Sequence, residues 1–203
     1  RRVMLSSLPG DAITSVKIDN VLHEFSTIPN VKEDVTEIVL NLKGVILKIH
    51  GDGPKIMYIE ADGSGEITAG DIKADSEVEF LNPEQHIATL DDGAKLNIEM
   101  TVAKGRGYVP AVDNKPAANV IGVIPIDSIY TPVVKCNFTV DDTRVGHVID
   151  KGRLNLEVWT DGSMRANEAV SLAAKVLIEH FSLFLDLAEG ASEGASILAD
   201  KDV

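Results

Sequence analysis

The chain has 203 residues, of which 44% are hydrophobic and 25% charged, and this balance is typical of a soluble globular protein with one large or two small domains. Its formal net charge of −13 argues against non-specific nucleic-acid binding by the chain itself, since such binding needs a basic surface, although an acidic chain can still belong to a larger nucleic-acid machine. The single cysteine, Cys136, excludes an internal disulfide. Together with the lack of an apolar run long enough to span a bilayer, it predicts a cytoplasmic protein that does not bind membranes.

The N-terminal region is predicted to begin in a helix. Residues 1–8 are typical of the end of an amphipathic helix that stops at Pro9-Gly10, and we expect upstream sequence to be missing. Residues 12–25 are rich in β-branched side chains and predict two strands joined by a turn at Asp19-Asn20.

A second helix is predicted over residues 35–42, where four apolar side chains fall on one face. Asn30 and Glu33 have the spacing of a capping box before it, and Lys43-Gly44 ends it. From about 45 to 140 the pattern favours strands. The clearest is 95–102, in which apolar and polar residues alternate strictly.

The third zone begins near residue 145. Leu154, Leu156 and Val158 alternate with polar residues and predict a strand, and Asp161-Gly162-Ser163 then turns the chain into its longest helical pattern. The apolar stripe of that helix is too broad for a helix with one wet side, which predicts that another helix or another subunit covers it. After Leu187 a repeated Glu-Gly-Ala-Ser sequence predicts a flexible linker.

The segment Lys104–Ala111 combines two cations, two glycines, a tyrosine and a proline. Arginine and tyrosine are enriched where proteins grip other proteins, so the segment is interpreted as a docking loop. A phosphate cradle is the alternative, but Gly105-Arg106-Gly107 lacks the third glycine and the following helix of that fingerprint.

Motifs for catalysis or metal binding do not emerge from the pattern. The five histidines lack metal-ligand spacing, and the acidic pairs fall in turns or in the tail. Cys136 lies in a strand-like run and is predicted to be a small buried apolar residue. The sequence therefore predicts no catalytic residue, no metal and no cofactor on this chain.

Several motifs in the same order resemble the amino-terminal domain of the bacterial RNA polymerase alpha subunit, in its Firmicutes-type version. They are Arg1–Gly10, Val21–Thr27, Lys104–Ala111, Asn119–Val123, Ile124–Val133 and Val158–Ser163. The resemblance covers about residues 1–187. It implies an α+β fold with a dimerisation domain of helices packed on an antiparallel sheet and an inserted, mostly β second domain. On this basis we expect the first domain at 1–9 plus 145–188, the insertion at 10–144, and the linker at 189–203, followed in the family by a DNA-binding domain that this chain lacks.

The resemblance also implies a function. In the family, two copies dimerise and provide the scaffold on which the beta and beta-prime subunits of DNA-directed RNA polymerase assemble, while the catalytic magnesium belongs to beta-prime. We expect contacts with the large subunits from Arg2, Lys104, Arg106 and Tyr108. We expect the dimer interface to comprise Leu5, Val170, Ala173, Leu177, Phe181 and Phe184. Direct nucleic-acid binding is not expected from this fragment.

Two other function classes stay open on the residues alone. One is a small-molecule enzyme whose Arg106 and Tyr108 line an anion pocket, although the sequence shows no titratable base near them. The other is a scaffold that uses the same dimer surface for unrelated partners. Identifying the proteins that co-purify with the chain separates these possibilities.

Overall fold

The computed structural model describes residues 1–115, 120–145 and 148–184. Within these ranges the helices are α1 (Arg2–Ser6), α2 (Val35–Lys43) and α3 (Ala166–Ser182), with a 3-10 turn at Ala69–Asp71. The strands are β1 (Pro9–Ile18), β2 (Leu47–Ile49), β3 (Lys55–Asp62), β4 (Gly65–Thr68), β5 (Val78–Phe80), β6 (His86–Leu90), β7 (Lys95–Arg106), β8 (Tyr108–Val109), β9 (Val123–Pro125), β10 (Ser128–Ile129), β11 (Val133–Val145) and β12 (Val148–Thr160). The strand ladders are antiparallel, and the α+β prediction is confirmed.

A four-stranded sheet in the order β3-β7-β1-β9 carries the larger hydrophobic cluster. The alternation predicted for residues 95–102 is confirmed, since one face of β7 buries Leu96, Ile98, Met100 and Val102. Helix α2 contacts β1 and β6, and its buried stripe is the predicted one, made of Val35, Ile38, Val39 and Leu42. Each such side chain contributes roughly 1.5–3 kcal/mol by leaving water.

The start of α2 differs from the sequence-based prediction. Asp34 is the N-cap, and its Oδ1 accepts a hydrogen bond from the Glu37 amide at 2.7 Å. Asn30 lies in a turn with φ +59°, and the Glu33 carboxylate accepts hydrogen bonds from the Thr89 amide and hydroxyl instead. The capping-box prediction was wrong because a carboxylate one residue before the helix is better placed to reach the free amides.

The predicted second strand after Asp19-Asn20 was also wrong. The chain turns there, with Asn20 at φ +63°, and residues 21–30, all within the described part of the chain, form a loop. Strand β1 already has β7 on one side and β9 on the other. The residues that follow the turn therefore cannot pair back onto β1 as the second strand of a hairpin.

The second hydrophobic cluster is smaller and brings the N-terminal helix α1 together with β11 and α3. Helices α1 and α3 pack together near the β11–β12 ribbon, around buried Met4, Leu8, Val133, Cys136, Ala169 and Ala173. Cys136 is a free, buried thiol, as predicted. The domain limits expected from the sequence stay a prediction, and residues 185–203, including Leu187 and the expected linker, lie outside the described residues.

The β11–β12 ribbon has one apolar and one polar face. Cys136, Phe138 and Val140 stand opposite Val158, Leu156 and Leu154, so these six share a face. Beyond the end covered by the helices, Phe138, Val140 and Leu154 are exposed. On the other face the Lys135 ammonium lies 4.6 Å from the centre of the Trp159 ring, which is a cation–π contact.

Candidate functional site

The segment that the sequence marks as a docking loop is largely strand. Lys104, Gly105 and Arg106 are the last residues of β7, paired with Asp11, Gly10 and Pro9 of β1. Gly107 bends the chain with φ +65°, a conformation that favours glycine, and β8 then pairs with β10. The loop prediction failed because the cross-strand partner, β1, continues to Pro9 and keeps β7 in register.

The four residues predicted to contact large subunits lie on neighbouring segments. Lys104, Arg106 and Tyr108 are all exposed, and Tyr108 is 61% accessible to solvent. Arg2 is exposed on α1. A Cβ atom placed on Gly107 would lie 2.8 Å from the Ser6 carbonyl oxygen, so the bend after β7 contacts the end of α1. The fold thus brings two short cationic stretches, 1–2 and 104–106, to one region.

These arginines are free to bind an external carboxylate. Among the described residues, neither Arg2 nor Arg106 has an acidic partner within 4.0 Å. Lys104 stands opposite Asp11, whose Oδ2 accepts a hydrogen bond from the Ile49 amide at 3.0 Å. Burial raises the pKa of Asp11, while that hydrogen bond and Lys104 act in the opposite direction. A guanidinium without an internal partner can form a bidentate pair with a carboxylate on another protein.

Asp127 fixes the segment that follows Tyr108. Its carboxylate accepts hydrogen bonds from the Lys43 ammonium and from the Ala111 amide, both at 2.9 Å. These two bonds, the one from Lys43 first, lower the pKa of Asp127. The carboxylate therefore ties the end of α2 to the chain beyond β8. Sequence reasoning missed this role because Lys43 and Asp127 are 84 residues apart.

The six residues predicted for the dimer interface have different environments. Ala173 is buried against the smaller cluster, and Leu5 and Val170 are half-buried at its edge. Leu177, Phe181 and Phe184 are exposed, and Phe181 is 64% accessible. With Ile178 and Leu183 they form the outer face, a set of large apolar side chains at the end of α3. An apolar area of this kind marks an interaction site when it is contiguous.

A second apolar patch was not foreseen from the sequence. Leu22, Phe25, Val112 and Ile121 are each more than 70% exposed, beside the edge strand β9. Residues of this patch line a shallow depression of about 470 Å³. The signal was present in residues 21–25, where apolar side chains follow a turn, but that segment was predicted to be a strand rather than an exposed loop.

A cleft of about 410 Å³ lies where the chain crosses between the two hydrophobic clusters. Its charged lining includes Asp11, Lys43 and Glu168. Within the described ranges, no group of three or more metal-binding side chains occurs there or elsewhere. Among the same residues, no helix has the length and apolar character needed to cross a bilayer. Arg106 and Tyr108, the residues of the anion-pocket alternative, do not line this cleft.

Comparison with known proteins identifies the family. Residues 16–131 match the RNA polymerase Rpb3/RpoA insert domain, which is more than half of the chain. The chain belongs to this family. The match ends at Thr131, immediately before the ribbon strand β11 begins at Val133.

Similar bacterial proteins confirm the resemblance derived from the motifs. DNA-directed RNA polymerase subunit alpha of Carboxydothermus hydrogenoformans is 58% identical over 202 residues, which is 100% of this chain and 64% of that protein. The subunit of Desulforudis audaxviator is 60% identical over 192 residues, 95% of this chain and 61% of that protein. That of Alkaliphilus oremlandii is 59% identical over 202 residues, 100% of this chain and 63% of that protein. The Rpb3/RpoA-type chain thus spans somewhat over three fifths of these relatives.

Proposed function

We propose that this chain is the assembly region of an RNA polymerase alpha subunit. Two copies associate through the outer face of α3, and the pair holds the beta and beta-prime subunits of DNA-directed RNA polymerase in the cytoplasm. The chain contributes no catalytic residue, and the catalytic magnesium belongs to beta-prime. The observation that carries the proposal is the identity of 58–60% to three proteins named DNA-directed RNA polymerase subunit alpha, over 95–100% of the chain.

The exposed cations and Tyr108 support a large-subunit contact. Arg2, Lys104, Arg106 and Tyr108 are exposed on adjoining segments of a protein whose net charge is −13. A local cationic area on an acidic protein attracts an acidic partner surface. Arginine and tyrosine are also the residue types that carry the most energy when an interface closes over them.

The outer face of α3 supports association of two copies. Leu177, Phe181 and Phe184 expose large apolar surface on a short helix end, and a twofold interface places the same residues of both copies against each other. Val170, Leu5 and Ala173 lie nearer the smaller cluster and join α3 to α1. They hold the helix in place beneath that surface.

The experiment is capture of the large subunits by the full-length protein. Arg2→Ala and Arg106→Ala should each weaken binding of the beta subunit by about tenfold or more, as expected for a central interface arginine, while the dimer stays intact. Lys95→Ala is the matched control, because Lys95 is an exposed cation at the other end of β7. Unchanged beta capture by both arginine variants would show that the contact lies elsewhere. Failure of the unsubstituted protein to bind either large subunit would overturn the proposed function.

A further inference from the structure

The two crossings between the hydrophobic clusters meet at one tyrosine. The chain leaves the helical part at Pro9-Gly10 and returns through Tyr130 and Thr131. Gly10 and Gly105 stand directly opposite each other in the β1–β7 ladder. Tyr130 is only 5% exposed, and its amide donates a hydrogen bond to the Gly107 carbonyl at 2.8 Å.

Each glycine of the pair makes room for a different part of Tyr130. A Cβ atom on Gly105 would lie 2.6 Å from the ring, and a Cβ atom on Gly10 would collide with the Tyr130 carbonyl. Neither glycine has a positive φ, so backbone conformation is not what favours glycine here. The paired glycines therefore form a flat floor on which both the ring and the main chain of Tyr130 rest.

We propose that Tyr130, seated on the Gly10–Gly105 pair, is a positioning residue that fixes the angle between the helical part and the inserted sheet. The consequence rests on the proposed function: the seat holds Arg2 of α1 beside Arg106 of β7, so that one partner surface meets both. The bend at Gly107 supports this arrangement, since it contacts the end of α1 and accepts the Tyr130 hydrogen bond. A loosened seat lets the two cationic stretches move independently, and binding of a rigid partner then costs the entropy of aligning them.

The seat makes two contrasting genetic predictions. Gly105→Ala adds a methyl group that pushes on the Tyr130 ring, so by itself it should raise amide exchange around Tyr130. Added to Tyr130→Ala, which removes the ring, it should cause almost no further increase. Gly10→Ala pushes on the Tyr130 main chain, so it should still raise amide exchange there when Tyr130→Ala is already present. The effects of Gly105→Ala and Tyr130→Ala should therefore be non-additive, whereas those of Gly10→Ala and Tyr130→Ala should add. Non-additivity is expected where two side chains are in direct contact. Gly70→Ala is the matched control, because a Cβ there meets nothing closer than 3.4 Å.

The measurement is amide hydrogen exchange in the full-length dimer, followed by mass spectrometry. Gly105→Ala should raise exchange at residues 128–131 by about tenfold, as a local opening does, with residues 96–102 unchanged. Unchanged exchange at 128–131, or equal effects of Gly105→Ala in the presence and absence of the Tyr130 ring, would overturn the proposal. Beta capture is measured in parallel with Arg106→Ala. If exchange behaves as expected while Arg2→Ala and Arg106→Ala bind normally, the seat stands and the docking surface is what fails.

Discussion

At the scale of single residues, the His86 ring is held between two carboxylates. Its Nε2 lies 3.0 Å from Glu33 and its Nδ1 2.8 Å from Glu66, so both ring nitrogens face carboxylates. Two acceptors require two N–H donors, which is the imidazolium form. The hydrogen bond to Glu33, followed by that to Glu66, accordingly raises the pKa of His86, although desolvation opposes them.

This arrangement makes stability depend on pH in a defined direction. Because the folded-state pKa of His86 lies above the unfolded value of 6.5, its contribution is complete below pH 6.5 and is lost as the pH rises through the folded value. The side chain is 36% exposed, so solvent screening limits the effect to about 1 kcal/mol or less. Denaturant unfolding should give a lower free energy of unfolding at pH 8 than at pH 6 for the unsubstituted protein. The difference should be smaller for His86→Gln. His23→Gln, at an exposed loop position, should retain the full difference; equal pH dependence in all three would contradict the assignment.

Glu33 limits stability on the acid side. Burial raises the pKa of its carboxyl, but hydrogen bonds from the Thr89 amide, His86 and the Thr89 hydroxyl outweigh that effect and lower it below 4.5. Its contribution is therefore present above pH 4.5 and is lost as the pH falls through the depressed value. The pair Glu33 and His86 is thus most favourable between the two transitions.

At the scale of elements, helix α2 allows the two capping assignments to be compared directly. Asp34→Ala removes the acceptor of the Glu37 amide and should lower the free energy of unfolding by about 1 kcal/mol. Asn30→Gly should be neutral or stabilising, because Asn30 has φ +59° and glycine adopts that conformation without steric cost. Urea unfolding of both variants decides. A larger decrease in the free energy of unfolding for Asn30→Gly than for Asp34→Ala would show that Asn30, and not Asp34, caps helix α2.

The elements also show which parts of the fold the sequence could predict. The alternation of residues 95–102, the buried stripe of α2 and the turn at Asp19-Asn20 depend on local chemistry, and they were predictable. The strand state of Lys104–Arg106 was not, since it depends on pairing with Pro9–Asp11, almost a hundred residues away. The tie between Lys43 and Asp127 and the seat of Tyr130 were missed for the same reason. The sequence indicated which candidate residues could contact a partner. Their proximity in space could be recognised only from the folded structure.

Strand β11 suggests a revised limit for the inserted domain. The sequence-based expectation placed the end of the insertion at residue 144. However, β11 pairs with β12 along its length, and Val133 and Cys136 are buried with α1 and α3. The family match also ends at residue 131. We therefore propose that the chain leaves the insertion at Thr131.

At the scale of the whole molecule, the outer face of α3 predicts the oligomeric state. Phe181→Glu places a charge in the proposed twofold interface and should convert the full-length dimer to a monomer at micromolar concentration, because an unpaired buried charge is costly. Lys175→Glu, at an exposed position on the same helix, should leave the dimer intact. Sedimentation equilibrium measures both. A persistent dimer in Phe181→Glu would place the interface elsewhere.

The contact between Gly10 and Tyr130 has a consequence for how the inserted domain can be replaced during evolution. The main chains at the start and the end of the insertion touch, at Gly10 and Tyr130. The two points at which the insertion joins the rest of the chain are therefore close together. A segment with adjoining ends can be exchanged as a cassette without stretching its host, because few backbone constraints cross the boundary. The same adjacency allows a different sheet to be grafted between Leu8 and Pro132 with only a short connector.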